Sequence, residues 1–453
     1  MLSSLVPLYF MLPFLLFVDY GLCSSNTTEV DFVYGWQSSP NVRGTIDILW
    51  SCLFTIFLCT WTALHLNLRS PSESCWAYNF RKVRWMAQTL AGPEFVVWLT
   101  CGQRYEAKLS VKVFQDINCP QWTIKHGFYA NMGGIRLKAP DCPSFPITAR
   151  QLHYLVAQGY TTLPKISMEE VWDKSKADLF AKTLVCTQIC WQVMQVVARC
   201  IQHLPITTLE LTSLSYVVCA LAMYFMWLHK PLDIETPTVI EIETNIKDIL
   251  LQAGPAAAQP YEQSPLDFVD NLAPCWWINV QKYLFFRVDP RQRPMQRFTN
   301  DKFPMVGVGF EIFFYMVVAH GFAGIHVAGW NFHFPTPFEM ILWRVASLTI
   351  CGSMVVIFFI EGTSDWHRRK RGLAVRAWLF GGDLNSENQR PSREDAMAHP
   401  DFVPYWEFLA FVPVTLVYSI ARLYLMVEVF LGLRALPQGV YISVEWSNFI
   451  PHI

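Results

Sequence analysis

The stretch that decides the fold is Leu184–His203, which reads LVCTQICWQVMQVVARCIQH. Amide and guanidinium side chains recur in it every three or four residues and therefore share one face of a helix. These residues, called the glutamine stripe below, are Gln188, Gln192, Gln195, Arg199 and Gln202. The remaining positions are mostly Val, Ile, Cys, Met and Trp, which suit lipid. The pattern predicts a membrane-length helix with one polar face turned toward a protein interior.

The composition places the whole chain among helical membrane proteins. Of its 453 residues, 53% are hydrophobic and only 16% are charged, whereas soluble domains carry about 25% charged residues. The net charge of −1 argues against a nucleic-acid partner, and the 13 cysteines lack the spacing of a metal site. We therefore predict an all-α polytopic membrane protein whose partner is the lipid bilayer, with no metal, cofactor or nucleic acid.

The N-terminus has features of a secretory signal. An apolar run at Leu5–Val18 is followed by small residues near position 23, as before a cleavage point. The run lacks Lys and Arg at its start, and a retained anchor is the alternative. Asn26-Thr27-Thr28 follows directly, so Asn26 is a predicted N-glycosylation acceptor in a lumenal tail.

Six apolar runs are predicted to be transmembrane helices: 45–66, 184–203, 206–228, 303–330, 336–362 and 405–433. A shorter run at 87–100 contains Gly92-Pro93-Glu94. Because Pro breaks helices and a carboxylate is costly in lipid, we predict that this run is interfacial or re-entrant. A full kinked crossing is the alternative and would give seven spans.

The predicted spans divide the chain into regions. The basic run at 365–371, DWHRRKR, marks its side of the membrane as cytoplasmic. The regions are a signal peptide at 1–23, a lumenal tail at 24–44, a first membrane region with amphipathic and re-entrant segments at 45–233, a cytoplasmic loop at 234–302, a second membrane region at 303–434 and a C-terminal tail at 435–453.

Ionisable and amide side chains inside the predicted spans are the candidates for a cavity, because each is expensive to place in lipid. A hairpin at His203–Pro205 brings Arg199 and Glu210 to similar depth, where a structural ion pair and a substrate contact are both open. Histidine titrates near neutral pH, and acid–base pairs can move protons. The candidate residues are Gln188, Gln192, Gln195, Arg199, Glu210, Glu311, His320, Arg344, Arg422 and Glu428.

Several stretches resemble a large family of uncharacterised fungal multipass membrane proteins. The resemblance is carried by 41–66, 92–94, 170–178 (EVWDKSKAD), 204–211 (LPITTLEL), 230–237 (KPLDIETP) and 444–453 (VEWSNFIPHI). It implies a filamentous-fungal membrane protein but no activity, so it assigns no residue a function.

Three functions are compatible with these patterns. No P-loop, H-E-x-x-H, G-x-S-x-G or dinucleotide fingerprint is present, so no catalytic residue can be named. The leading hypothesis is a protein of the endoplasmic reticulum or plasma membrane that handles a lipophilic small molecule in a polar cavity, as an enzyme of fungal metabolism or a binding protein. A transporter or channel would use the same stripe along a water-filled path. A non-catalytic receptor or scaffold would use it only to join helices.

Overall fold

The computed structural model describes residues 31–39, 43–164, 166, 178–232, 234, 236–257, 261, 263–270, 293–300, 309–368 and 405–446. In these ranges the chain is mainly helical, as the composition predicted. The helices are α1 (Thr45–Trp61), α2 (Cys75–Ala91), α3 (Pro93–Asp116), α4 (Ile124–Asn131), α5 (Ala149–Ala157), α6 (Asp178–Ile201), α7 (Thr208–Met226), α8 (Ile246–Ala253), α9 (Phe310–Ala328), α10 (Pro337–Arg368) and α11 (Tyr405–Leu431). The predicted signal peptide and Asn26 lie outside the described residues.

Five of the described helices contain segments long and apolar enough to cross a membrane. These segments are Thr183–Ile201 in α6, Thr208–Met226 in α7, Phe310–Asn331 in α9 and the turn after it, Pro337–Ile360 in α10, and Leu409–Arg434 in α11 and the turn after it. Helix α1 is apolar but shorter, at 17 residues. Together these six helices coincide with the six apolar runs of the sequence.

The run at 87–100 is the junction of two helices. Helix α2 ends at Ala91, and Pro93 occupies the first turn of α3. Proline suits this position because its missing N–H would have no partner there anyway. Helix α3 then continues for 24 residues to Asp116. The break that the sequence predicts at Pro93 is therefore present, and the interfacial or re-entrant placement of this run stays a prediction.

Two small sheets show that the all-α prediction is incomplete. Strand β1 (Phe32–Tyr34) pairs antiparallel with β5 (Ala435–Pro437) and so joins the two ends of the described chain. The other sheet has the order β3-β2-β4, in which β2 (Ile135–Ala139) is antiparallel to β3 (Cys142–Pro146) and parallel to β4 (Thr238–Glu241).

The chain has two hydrophobic cores that share α3. The helix bundle comprises α1, α6, α7, α9, α10 and α11 with the first half of α3, which contributes Val96, Val97 and Leu99 to its core. The α/β unit comprises α4, α5, α8 and the three-stranded sheet. Its core contains Leu137 and Phe145 together with Phe114 from the far end of α3. One continuous helix thus connects the two regions.

The bundle exposes large apolar side chains and buries polar ones. Exposed apolar residues follow the outer face of α11, including Leu416, Ile420, Leu423 and Val427. Similar rows lie on α6 and α10. Contiguous exposed apolar surface of this kind is rare on soluble monomers.

Candidate functional site: a buried polar centre in the helix bundle

The N-terminal part of the glutamine stripe, Gln188 and Gln192, joins α6 to its neighbouring helices. The amide nitrogen of Gln188 donates to Thr55 Oγ1 at 3.1 Å. Gln192 accepts from Ser51 Oγ at 2.8 Å and donates to Ser213 Oγ at 2.8 Å. Its amide therefore bridges α1 and α7, which is the contact expected of a residue that joins helices.

The C-terminal part of the stripe, Arg199 and Gln202, forms hydrogen bonds with the C-terminal tail of the chain. The guanidinium of Arg199, which is fully buried, donates to the carbonyl oxygens of Pro205, Gly439, Val440 and Ile442 at 2.9–3.1 Å. Gln202 exchanges two hydrogen bonds with the backbone of Glu445. Gln195, between these two parts, is half-buried. Of the stripe residues, Gln192 and Arg199 are buried and the other three are half-buried. The sequence could not identify these partners.

Three other predicted candidates are also held by nearby groups. Glu210 caps the start of α7 through the backbone N–H and hydroxyl of Thr207, both at 2.9 Å, and forms an ion pair with Arg43. Arg199 interacts with the same carboxylate electrostatically. Glu311 forms an ion pair with Lys108. Arg344 donates to the carbonyl of Trp330 at 3.0 Å and lies over that indole ring.

His320 and Glu428 lie apart from each other. The His320 ring stacks on Phe358, and its Nδ1 lies 2.8 Å from the carbonyl oxygen of Met316. Glu428 lies near the end of α11, where Tyr424 donates to it at 3.2 Å. These two candidates therefore have no contact in common among the described residues.

Arg422 is the predicted candidate that lies at a convergence of several helices. Its guanidinium donates to Tyr216 on α7 at 2.7 Å and to the carbonyl of Ala91 at 3.2 Å. It also lies 3.3 Å from His326 Nε2 on α9 and 4.7 Å from the ring centroid of Phe322. These contacts bring together groups from α2, α7, α9 and α11.

The ring of His326 must be neutral in this arrangement. Arginine can only donate hydrogen bonds, so Nε2 of His326 acts as the acceptor. Its Nδ1 lies 2.9 Å from the carbonyl of Phe322 and therefore carries the proton. The backbone of α9 thus fixes the tautomer that presents a lone pair to Arg422.

Glu94 completes this group, which we call the Glu94 centre: Glu94, Tyr216, His326, Tyr418 and Arg422. The hydroxyl of Tyr418 donates to Glu94 Oε1, and Arg422 is near enough to attract the carboxylate electrostatically. The carboxylate also lies in the first turn of α3, where the helix dipole favours negative charge. Its second oxygen, Oε2, is buried and accepts no hydrogen bond from any described residue.

The sequence pointed to parts of this centre but not to the whole. Glu94 stood out as a carboxylate beside Pro93, and Tyr418 shares a helical face with Arg422. Tyr216, in contrast, sits in an apolar run with no polar periodicity around it. Helix packing alone brings it to Arg422, 206 residues away along the chain.

The described residues contain no group of three or more His, Cys, Asp or Glu side chains arranged to hold a metal ion. The side chains of the Glu94 centre are of kinds that exchange hydrogen bonds and protons. The centre contains a carboxylate, two phenols, a neutral imidazole and a guanidinium, all buried.

The fold and the site define a mainly helical protein with membrane-length apolar helices around a buried polar centre. The chain matches the Family of unknown function (DUF8562) over residues 10–253 and 314–453, and it belongs to that family. The predicted resemblance to an uncharacterised family is thus confirmed, while a fungal origin remains a prediction. No curated protein and no solved structure matches the chain.

Proposed function

We propose that this chain is an integral membrane protein that binds a lipophilic small molecule bearing a hydroxyl group at the Glu94 centre. The observation that carries the proposal is the unpaired Oε2 of Glu94. A buried carboxylate oxygen without a donor costs free energy, and native proteins keep such groups mainly where they have a use.

The surface of the bundle supports insertion into a bilayer. In α1, the exposed apolar residues Ile46, Trp50, Leu53 and Phe57 recur at helical spacing, as on the longer helices. Its 17 residues span about 25 Å, close to the hydrocarbon thickness of roughly 30 Å. We therefore count α1 as a sixth span and assign the protein to the endoplasmic reticulum or the plasma membrane.

The chemistry around Glu94 defines the class of ligand. Oε2 is an acceptor, so the matching group on a ligand is a donor such as a hydroxyl. Phe95, whose ring meets that of Tyr418 edge to face, supplies an apolar wall nearby. An apolar molecule reaching this depth through the bilayer would pair its single polar group with Glu94 and leave the rest in contact with hydrocarbon.

Entry requires a local opening of the bundle, because Glu94 has no exposed surface. Gly92, at the junction of α2 and α3, is the natural hinge for such a movement. A carboxylate that accepts a hydrogen bond from a hydroxyl is also placed to take its proton. Binding and acid–base chemistry would therefore use the same atom.

A scaffold or receptor without a small-molecule site is the second candidate. It is favoured by the glutamine stripe, because the side chains of Gln188, Gln192 and Arg199 are all bonded to neighbouring helices or to the tail. In that case the Glu94 centre would serve only to hold α3, α7, α9 and α11 together.

Photolabelling distinguishes these two functions. Membranes containing the full chain are irradiated with a long-chain alcohol that carries a diazirine, and the labelled peptides are mapped by mass spectrometry. The control probe is the same long-chain diazirine compound without the hydroxyl group. We expect the alcohol to label peptides around Glu94, and Glu94→Gln to lower this labelling about ten-fold through loss of a charged hydrogen bond.

Glu311→Gln provides the matched control, because Glu311 is another buried glutamate of the bundle but lies outside the Glu94 centre. It should retain the labelling, and the probe without a hydroxyl should label all variants equally. If the alcohol labels wild type and Glu94→Gln to the same extent, the ligand site is not at Glu94 and the scaffold function is preferred.

A further inference from the structure

A second buried carboxylate lies at one end of the bundle, away from the Glu94 centre. Glu428, in the last turn of α11, is only 1% exposed. Its Oε2 accepts a hydrogen bond from Tyr424 at 3.2 Å, whereas its Oε1 is buried and accepts none from the described residues.

The charge of Glu428 is not balanced by the groups that the structure describes around it. The basic residue that attracts it is Arg434, which is already in an ion pair with Glu339 at the start of α10. Glu339 and Glu428 also repel each other. In addition, Glu428 lies at the C-terminal end of a helix, where the dipole disfavours negative charge. The carboxylates of Glu339 and Glu428 carry two negative charges and the guanidinium of Arg434 carries one positive charge, so one negative charge is not balanced.

The hydroxyl oxygen of Thr208 lies beside the same space as Glu428. A Cβ atom built on Gly432 would lie 3.6 Å from Thr208 Oγ1 and 3.9 Å from Glu428 Oε1. The absence of a side chain at Gly432 therefore keeps open a small space lined by a hydroxyl and a carboxylate. The Tyr424 hydroxyl also lies 3.1 Å from the carbonyl oxygen of Glu339, so its single proton is shared between that oxygen and Glu428. Glu339 Oε2 is buried without a donor among the described residues.

We propose that these oxygen atoms form a binding site for a monovalent cation, with Na⁺ as the ion. The ligands would be Glu428 Oε1, Thr208 Oγ1 and Glu339 Oε2. All are hard oxygen donors, which suit a hard cation rather than zinc or copper. A single positive charge equals the single negative charge left over, and it restores the interaction that a helix C-terminus favours.

The test is the thermal stability of the purified full chain in lipid nanodiscs. Unfolding is followed in NaCl, CaCl₂ and choline chloride at equal ionic strength, at pH 6 and pH 8. Because an ion that binds only the folded state stabilises it, NaCl should raise the midpoint of the wild type by about 2 °C or more over choline chloride. Glu428→Gln should abolish this difference, and in choline chloride its midpoint should not fall below that of the wild type.

Thr208→Val keeps the test valid if Glu428→Gln fails to fold, because it removes one ligand without changing the charge. It should reduce the response to NaCl. Glu241→Gln, at an exposed position of the α/β unit, should respond like the wild type.

The proposal is overturned if the wild-type midpoint is the same in NaCl and choline chloride, if only CaCl₂ raises it, or if Glu428→Gln still responds to NaCl. A midpoint that rises from pH 8 to pH 6 with no response to NaCl would instead show that a proton neutralises Glu428, and this also overturns it.

Discussion

The helix bundle and the α/β unit place the same kinds of residue in opposite positions. Leu348 in α10 and Val239 in β4 are both 49% exposed. Around Leu348 the exposed surface is apolar, and the buried residues of the bundle include arginine and glutamate. Around Val239 the surface is polar, with the exposed ion pair of Lys138 and Glu241 beside it. The core of this unit is mainly aliphatic and aromatic, with a few buried polar side chains such as Arg136 and Gln151.

If the bundle lies in a bilayer as proposed, the difference follows from the solvent around each region. In lipid, polar groups must find partners inside the protein, because no water is available. The four carbonyl oxygens around Arg199 meet that need. In water an ion pair such as Lys138–Glu241 adds little, because both groups are well solvated when apart. Three predictions test this contrast, in order of decreasing size.

The largest effect is expected for Arg199→Met. The change removes the donor to the carbonyl oxygen of Ile442 and leaves those of Gly439 and Val440 with single hydrogen bonds of 3.4 Å, from the Ile442 N–H and from Arg43. Removing one partner of a buried charged group costs about 3–5 kcal/mol. The free energy of unfolding in detergent, followed by denaturant titration, measures it. Lys138→Met is the matched control and should change stability by about 0–1 kcal/mol. Equal losses for both variants would remove the contrast between the two regions.

A lysine on the exposed apolar surface should have the next largest effect. Leu348 lies near the middle of the candidate span Pro337–Ile360. Placing Lys at the centre of a membrane helix costs about 2.5–3.5 kcal/mol on insertion scales. Leu348→Lys should therefore reduce the inserted fraction in a translocation assay, whereas Val239→Lys should leave it unchanged. If Leu348→Lys inserts normally, α10 does not face hydrocarbon at this position.

The smallest effect concerns Lys230, which follows α7 outside the candidate spans. Its ammonium nitrogen lies 2.6 Å from the carbonyl oxygen of His65 and 2.9 Å from Gln103 Oε1. Burial lowers the pKa of Lys230 from 10.5 to about 7. The unfolded chain therefore binds one more proton between these two values. Burying the charged ammonium group lowers the free energy of unfolding. This cost is fully present below pH 7, and it disappears as the pH rises toward 10.5.

Stability should accordingly increase with pH above 7, by at most about 1.4 kcal/mol per pH unit. The unfolding midpoint of the wild type and of Lys230→Met is measured from pH 7 to pH 9. The variant should lack this part of the slope. Parallel curves for the two proteins would mean that Lys230 keeps its proton in the folded state.

The sequence predicts the bundle better than the α/β unit for a physical reason. Long apolar runs indicate membrane helices, and the three-to-four-residue spacing of the glutamine stripe indicates which face of α6 is turned toward the protein interior. Strands β2 and β4 are only five and four residues long, too short for a clear alternating pattern. They also pair in parallel although about a hundred residues separate them, with Arg136 opposite Val239. No local signal encodes that pairing.

The candidate site was only partly predictable for a related reason. Helical spacing shows which side chains share a face, but it does not show which helix that face meets. Arg422 was found because a charged residue in an apolar run is conspicuous. Tyr216 and His326 join it through packing between helices, and an alternative pairing of the same faces would have been equally consistent with the sequence.

The bond between Arg199 and the tail has a consequence for the order of assembly during synthesis. The carbonyl of Gly439 lies 240 residues beyond Arg199 in the chain. While the ribosome makes the intervening segment, the guanidinium has only the Pro205 carbonyl among its four final acceptors. The guanidinium can therefore reach all four acceptors only after the segment that contains Gly439, Val440 and Ile442 has been made. A nascent chain stopped before that point would present an unfinished polar site to the membrane quality-control machinery.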